Sequence, residues 1–267
     1  MKFGMIGAGN MVSAIVKGMT KNGYDADKLY LTSKTVTSAR RLAESCGGQV
    51  CETAQDVIAA ADVVVLGVKP HVLAEILPDL KDDFAKKQPL VVSIAAGKTL
   101  SYLAEQLPPK TPIVRVMPNI NAKIGASATG ICYNDFVTEE QKTIIKDVFS
   151  TIGSVTELPE AQFSIFGVIG GASVAFAYLY MDALARAALK AGMSKQQALA
   201  ITAETVEGSA KMILESGEAP WSLIDQVCSP GGTTIEGIAA LQKNGFESTI
   251  MAAFDAVLEK DKKIGKQ

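Results

Sequence analysis

The stretch Lys2-Phe3-Gly4-Met5-Ile6-Gly7-Ala8-Gly9-Asn10-Met11-Val12 decides how the rest of the chain is read. Its first half is an apolar run of strand length. At Gly7 it gives way to apolar residues at helical spacing, from Met11 to Lys21, which stop at Asn22-Gly23. A glycine turn between a strand and a helix is the setting in which dinucleotides bind. Gly7 permits the tight turn, Gly9 lets a pyrophosphate approach the backbone, and the helix start offers N–H groups and a positive dipole end. The third glycine of that pattern, which lets helix and strand pack closely, is replaced by Val12.

Working outward, further β-rich runs lie at Lys28 to Thr32, Asp62 to Val68, Pro89 to Ala95, Thr111 to Met117 and Ser127 to Tyr133. A helical pattern covers Val36 to Cys46, and Leu66-Gly67-Val68 lies in a run apolar on both faces, as expected of a central parallel strand. A helix from Thr138 to Ile152 ends at Gly153, and a short strand through Leu158 meets Pro159. This alternation predicts an α/β fold, a Rossmann-type doubly wound sheet, as a dinucleotide-binding domain over residues 1–158. Beyond Pro159 nearly everything reads as helix: Ala161 to Ala191, Ser194 to Ser216, Trp221 to Val227, Thr233 to Lys243 and Phe246 to Lys263. An all-helical domain over residues 159–267 that carries a long apolar helix cannot cover that surface alone, so it is expected to join copies into a homodimer or larger homo-oligomer.

Composition narrows the functions. Of 267 residues 48% are hydrophobic and 20% charged, and 26 basic against 28 acidic residues give a net charge of -2, which offers no field for nucleic acid. The four cysteines, Cys46, Cys51, Cys132 and Cys228, show no C-x-x-C spacing, and no basic leader precedes the first strand, so a cytoplasmic protein with reduced thiols is expected. The single histidine, His71, excludes multi-histidine metal sites, and beside Pro70 it reads as a surface or packing residue. Phe163 to Met181 contains no charged residue and is long enough to span a membrane. Its glycines and the lack of a flanking basic cluster favour a helix buried in a core or subunit interface, with no membrane partner.

The end of the second strand bears on the cofactor. An enzyme selective for NAD would place Asp or Glu there, whereas this chain has Leu31-Thr32-Ser33-Lys34, followed by Arg40 and Arg41. Hydroxyls and a lysine suit a 2′-phosphate, so NADP is the expected cofactor, NADPH being preferred over NADH. Val68-Lys69-Pro70 and Ser93 to Gly97 close successive strands, where open α/β sheets bind their ligands. In the helical half, Cys228 to Ile235 is a small, hydroxyl-rich turn opening a helix. Its free N–H groups, with Ser229, Thr233 and Thr234, suit a carboxylate, and an ordinary helix cap fits the same pattern.

Taken together, six motifs resemble the pyrroline-5-carboxylate reductase family over essentially the whole chain. They are G-A-G-N-M at Gly7, V-K-P-H (Val68 to His71), A-A-G (Ala95 to Gly97), R-V-M-P-N (Arg115 to Asn119), A-G-M (Ala191 to Met193) and D-Q-V-C-S-P-G-G-T-T-I (Asp225 to Ile235). The resemblance implies NAD(P)H-dependent reduction of the cyclic imine 1-pyrroline-5-carboxylate to L-proline. It implies cofactor contacts at Gly7, Ala8, Gly9, Asn10, Met11, Ser33, Lys34, Val68, Lys69, Pro70, Ala95, Ala96, Gly97 and Gln226. It implies contacts with the imine carboxylate substrate at Glu160, Ser229, Gly231, Gly232, Thr233 and Thr234. Chemistry then suggests Thr234 as the catalytic residue, acting at the ring nitrogen while its neighbours hold the carboxylate. The chain departs from the family at Val12 and at Gly171-Ala-Ser-Val-Ala-Phe176, where Val174 stands in a proline position. A hydroxyacid dehydrogenase of similar build would need a lysine soon after Gly171, and none occurs before Lys190. A non-catalytic nucleotide-binding regulator and a reductase of a related cyclic imine acid remain as alternatives.

Overall fold

The structure is a computed structural model and describes residues 1–264; residues 265–267, which the expected helical domain includes, lie outside the described residues. Two compact units emerge: one comprises Met1–Gly171 and the residues from Lys260 on, the other Ala172–Glu259.

The first unit is built on eight strands: β1 (Phe3–Ile6), β2 (Leu29–Thr32), β3 (Gln49–Val50), β4 (Val63–Leu66), β5 (Leu90–Ser93), β6 (Ile113–Met117), β7 (Ser127–Tyr133) and β8 (Gly153–Glu157). Their order is β3-β2-β1-β4-β5-β6-β7-β8, parallel except where β7 runs antiparallel to β6. The helices are α1 (Asn10–Lys21), α2 (Val36–Cys46), α3 (Ala54–Ala60), α4 (Pro70–Lys87), α5 (Leu100–Gln106) and α6 (Glu139–Ser150). Side chains alternate between the two faces of the central strands. Phe3, Met5, Val63 and Val65 pack with α1, α2 and α6, while Ile6, Val64, Leu66 and Val91 pack with α3, α4 and α5. Burial on both faces explains the continuous apolar runs. Helix α1 follows the same logic, burying Val12, Ile15, Val16 and Met19 on one stripe. The strand order reverses at β1, whose neighbours are β2 and β4, so a crevice opens beyond the carboxyl ends of β1 and β4.

Strand ends differ from the sequence reading in one informative way. Strand β4 stops at Leu66 and β5 at Ser93, so Gly67-Val68 and Ile94-Ala95 belong to loops over that crevice. The two-residue β3 and helices α3, α4 and α5 were not legible as elements.

The single helix expected from Ala161 to Ala191 is a correction. A 3-10 turn (Glu160–Gln162), α7 (Phe163–Phe166) and a π-helical turn (Gly167–Ala172) precede α8 (Ser173–Lys190). The cause is on the sheet side: the buried Asn119 amide donates to the Gly170 carbonyl at 2.7 Å and draws it out of the α-helical ladder. Phe166 fills the space left by two glycines, since a Cβ on Gly170 would come within 2.7 Å of its ring and one on Gly130 within 2.9 Å.

The second unit holds α8, α9 (Lys195–Ser216), α10 (Pro220–Val227), α11 (Thr233–Lys243) and most of α12 (Phe246–Ile264). Among its described residues only Ala185, Ala198 and Thr202 are buried, while Leu179 is 71% and Leu214 83% exposed. The segment Glu160–Lys190 has a mean hydropathy of 1.6 and is long and apolar enough to cross a membrane, with 17% of its most apolar window buried.

Candidate cofactor cleft and substrate turn

The crevice begins at Gly7, whose φ of +116° belongs to glycine, and a Cβ there would meet the Gly67 carbonyl oxygen at 2.6 Å. Gly9 is the N-cap of α1 in extended conformation (φ -76°, ψ 178°), with no side-chain cap, and the first helical turn holds no acidic residue. A Cβ on Gly9 would project into open space, so the first N–H groups of α1 face a cradle that an anion fits. Ala8 and Met11 are half-buried and Asn10 is exposed at the helix start.

Val12 departs from the glycine pattern yet is fully buried, and the partner that accommodates it is Gly67. A Cβ on Gly67 would lie 2.1 Å from Val12 Cγ2. The small residue that allows close packing has moved from the helix to the loop after β4.

Gly7, Ser33, Lys34 and Val68 come together along one cleft of about 410 Å³. Ser33 donates to the Thr35 carbonyl at 2.8 Å, which fixes its hydroxyl at the strand end. No ion pair holds the exposed Lys34 among the described residues. The strand end itself has no carboxylate, but the fold brings Glu52, Glu75 and Asp79 into the same cleft from β3 and α4, which strand-end reasoning missed. Lys69 is the N-cap of α4 and Pro70 its first residue, so that helix start also lacks a side-chain cap. His71 is exposed on α4. In the next loop Ala95 is buried, Ala96 exposed, and Gly97 takes a φ of +73° with open space beside it.

Glu160 sits in the sheet unit, and its Oε1 accepts from Arg115 Nη1 at 2.8 Å and from the Leu100 N–H at 2.7 Å. Arg115, 7% exposed, also stands with its guanidinium 4.5 Å from the Phe163 ring centroid. Across β6 and β7 it pairs in register with Cys132, whose thiol is pushed up to about 12 by burial and then by the Glu160 charge, with Arg115 opposing. Arg115 and Asn119 were quoted as parts of a motif and given no role; here one grips the carboxylate of Glu160 and the other the carbonyl of Gly170.

The remaining candidates lie in the helical unit. After α10 the Gly232 N–H donates to the Ser229 carbonyl at 2.9 Å, Gly231 turns with φ +70°, and Gly232 becomes the extended N-cap of α11. No side chain caps that helix, so the hydroxyls of Ser229 and Thr233 do not serve as the ordinary cap the pattern also allowed. The first N–H groups of α11 are open to an anion, with Glu236 the first-turn acid. Thr234 and Gln226 line one largely apolar groove of about 650 Å³ with Tyr180, Met212, Leu223 and Ile238. The Gln226 amide donates to Glu218 at 2.7 Å. Groups of three or more metal-ligating side chains are absent among the described residues, and the four cysteines are free.

A mostly parallel sheet with a glycine turn at its switch point, followed by a helical unit, is the build of a nicotinamide-nucleotide-dependent oxidoreductase. In agreement, a family model described as "NADP oxidoreductase coenzyme F420-dependent" matches residues 2–97. A second, "Pyrroline-5-carboxylate reductase dimerisation", matches residues 160–264. The pyrroline-5-carboxylate reductase of Escherichia coli is 36% identical over 266 residues, covering 99% of this chain and 98% of the relative. The solved pyrroline-5-carboxylate reductase of Coxiella burnetii superposes with a TM-score of 0.92 at 33% identity, covering 98% of this chain and 97% of that one. A Plasmodium falciparum pyrroline carboxylate reductase solved with NADP bound superposes at 0.86 and 29% identity, covering 99% and 98% of the two chains. The chain belongs to the pyrroline-5-carboxylate reductase family.

Proposed function

We propose that this chain reduces 1-pyrroline-5-carboxylate to L-proline with NAD(P)H, preferring NADPH. Beside the family membership, the observation that carries the reading is the uncapped start of α11 within the run Asp225 to Ile235. The cradle at Gly7 to Met11 takes the pyrophosphate, and Val68 to Pro70 and Ala95 to Gly97 receive the rest of the cofactor; Gln226 is counted with the cofactor residues through the family resemblance alone. When bound, the cofactor supplies a hydride to the imine carbon.

The chain's own part is positioning and charge. The N–H groups after Gly231 and Gly232, with Ser229 and Thr233, hold the substrate carboxylate, and the Thr234 hydroxyl donates to or orients the ring nitrogen as electrons move onto it. Glu160 belongs to the substrate side through the family resemblance. Its Oε1 is shared by Arg115 and Leu100, so its contribution runs through the elements it holds. Preference for NADPH is supported by Ser33 and by Lys34, which no ion pair holds among the described residues, and opposed by Glu52, Glu75 and Asp79 in the same cleft. The test is NADPH and NADH consumption on adding the imine. No turnover refutes the activity, and equal efficiency with both cofactors refutes the preference.

A homodimer or larger homo-oligomer covers the apolar faces of α8 and α9, a reading supported by Leu179 and Leu214 standing open in a single copy and by the dimerisation match over residues 160–264. The same cover accounts for Glu160–Lys190 without a lipid, and the cytoplasm is the compartment that free thiols suit. Sedimentation that finds a stable folded monomer refutes the assembly.

A further inference from the structure

The loop that leaves β5 and enters α5 carries Ala95, Ala96 and Gly97, and its two ends are held unequally. At the β5 end the bonds are long: Ile94 N–H to the Leu66 carbonyl and Ala95 N–H to Ser93 Oγ, each 3.3 Å. At its tip Gly97 has a positive φ and no neighbour on its Cβ side, so packing does not fix it. At the α5 end, Thr99 is the N-cap and its hydroxyl accepts from Tyr102 N–H at 3.1 Å. Leu100, the first residue of that helix, has an N–H with no partner inside the helix. That N–H donates at 2.7 Å to Glu160 Oε1, sixty residues along the chain. The same oxygen takes the guanidinium of the buried Arg115 at 2.8 Å, and the Phe163 ring faces that guanidinium from the other side.

We infer that Arg115 and Glu160 form a clasp that fixes the Ala95–Gly97 loop in the shape that receives the cofactor, which makes both of them positioning residues. This rests on the reading of the chain as an NAD(P)H-dependent reductase. The clasp joins three separate pieces, strand β6, the start of α5 and the turn that opens the helical half, at one carboxylate oxygen. A bond from an N–H to a carboxylate is among the stronger ones, and the buried Arg115 guanidinium, 2.8 Å from Oε1, holds that oxygen aimed at the Leu100 N–H. Without Glu160 the guanidinium loses its counter-charge and the first N–H of α5 loses its acceptor, so the loop keeps its long bonds at β5 and the Thr99 cap but loses its one tie to a charged group.

The decisive variant is Leu100→Pro. Proline suits the first position of a helix, and Thr99 before it is already extended (φ -81°, ψ 164°), so the change removes one N–H and leaves the helix start intact. Leu100→Val trims the side chain while keeping that N–H and serves as the control. The readout is the Kd for NADPH by fluorescence titration, with no imine present. Leu100→Pro, Glu160→Ala and Arg115→Met should each weaken binding about tenfold, the loss expected for a bond to a charged group. Leu100→Val should bind like the parent. Glu160→Gln should recover most of the affinity because its amide oxygen still accepts, and Leu100→Pro with Glu160→Ala should be no worse than either alone. If a variant at Glu160 or Arg115 fails to fold by circular dichroism, Leu100→Pro decides. Parent-like NADPH affinity in Leu100→Pro overturns the clasp, as does a Glu160→Ala defect confined to the KM for the imine. A parent protein that binds no NADPH overturns the reductase reading itself.

Discussion

Replacing Gly67 by alanine puts a methyl group 2.1 Å from Val12 Cγ2, while Val12 Cβ and the Ile6 carbonyl oxygen lie 3.6 Å from it, in ordinary contact. The misfit is therefore with one methyl group of one side chain. Overpacking of this kind should cost about 1–3 kcal/mol. Val12→Ala alone removes two buried carbons at about 0.8 kcal/mol each, with a further loss for the cavity, for roughly 2 kcal/mol. Combined, the two changes fit: the new methyl takes the place of the lost Cγ2 and meets the remaining Cβ at contact distance. The double variant should be close in stability to the better single variant, a coupling of about 1–3 kcal/mol. Val12→Gly restores the three-glycine pattern and should be worse than Val12→Ala, because the hole is larger and glycine costs the helix about 1 kcal/mol more. Urea unfolding of all four variants at one protein concentration measures this, the fixed concentration being required because assembly shifts apparent stability. Strictly additive costs, or a harmless Gly67→Ala, would refute the idea that Gly67 is the counterpart of Val12.

Three other outcomes follow from the geometry. Thr234→Ala should lower kcat/KM for the imine by about 10–100-fold, the equivalent of one hydrogen bond in a closed pocket, with NADPH affinity unchanged, and Thr234→Ser should retain much of the activity. A main defect in NADPH binding would make Thr234 a structural residue. Lys34→Asp should raise the KM for NADPH more than that for NADH, and steady-state kinetics with both cofactors decides it. Burial first, then nearby carboxylates, pushes the Tyr24 phenol up to about 12 from the ordinary 10.0, and Tyr133 is raised by the same causes. The unfolded chain then releases these protons at lower pH than the folded one. Stability should hold below the unfolded value and fall as pH rises from 10.0 toward about 12, and replacing Tyr24 and Tyr133 by Phe should flatten that fall.

The parts of the fold that were legible are those whose signal lies in adjacent residues. The run of four buried residues in β4, the stripe Val12, Ile15, Val16 and Met19 in α1, and the glycine turn between β1 and α1 each declare themselves within a dozen positions. The short α3 and α5 offer too few turns for a periodic stripe, and β3 is two residues held to β2. What periodicity could not report was pairing across the fold. The break after Phe166 depends on Asn119 reaching Gly170, and the tolerance for Val12 depends on Gly67. In both cases the residue that explains the anomaly stands some fifty positions away, at a site that looked unremarkable by itself.

The same distinction separates the two groups of candidate residues, one in each unit. The cleft that gathers Gly7, Ser33 and Val68 was legible because strand ends are marked in sequence by such residues, and the crevice beyond strand ends is where open α/β sheets form clefts. Its charge was only partly readable, since Glu52 reaches the cleft by pairing of β3 with β2. The helical unit gave weaker signals for a physical reason: with only Ala185, Ala198 and Thr202 buried among its described residues, apolar side chains on several faces obey no single stripe. The proposed assembly accounts for this: a helix that faces its own unit on one side and a second copy on another would carry apolar residues at positions a lone amphipathic helix makes polar. The family motif at Ser229 to Thr234 was therefore more informative than any periodicity around it. Its turn geometry, with Gly231 at positive φ and α11 left uncapped, shows why small residues and not charged ones stand there: an N–H cluster is available only where no side chain claims it first.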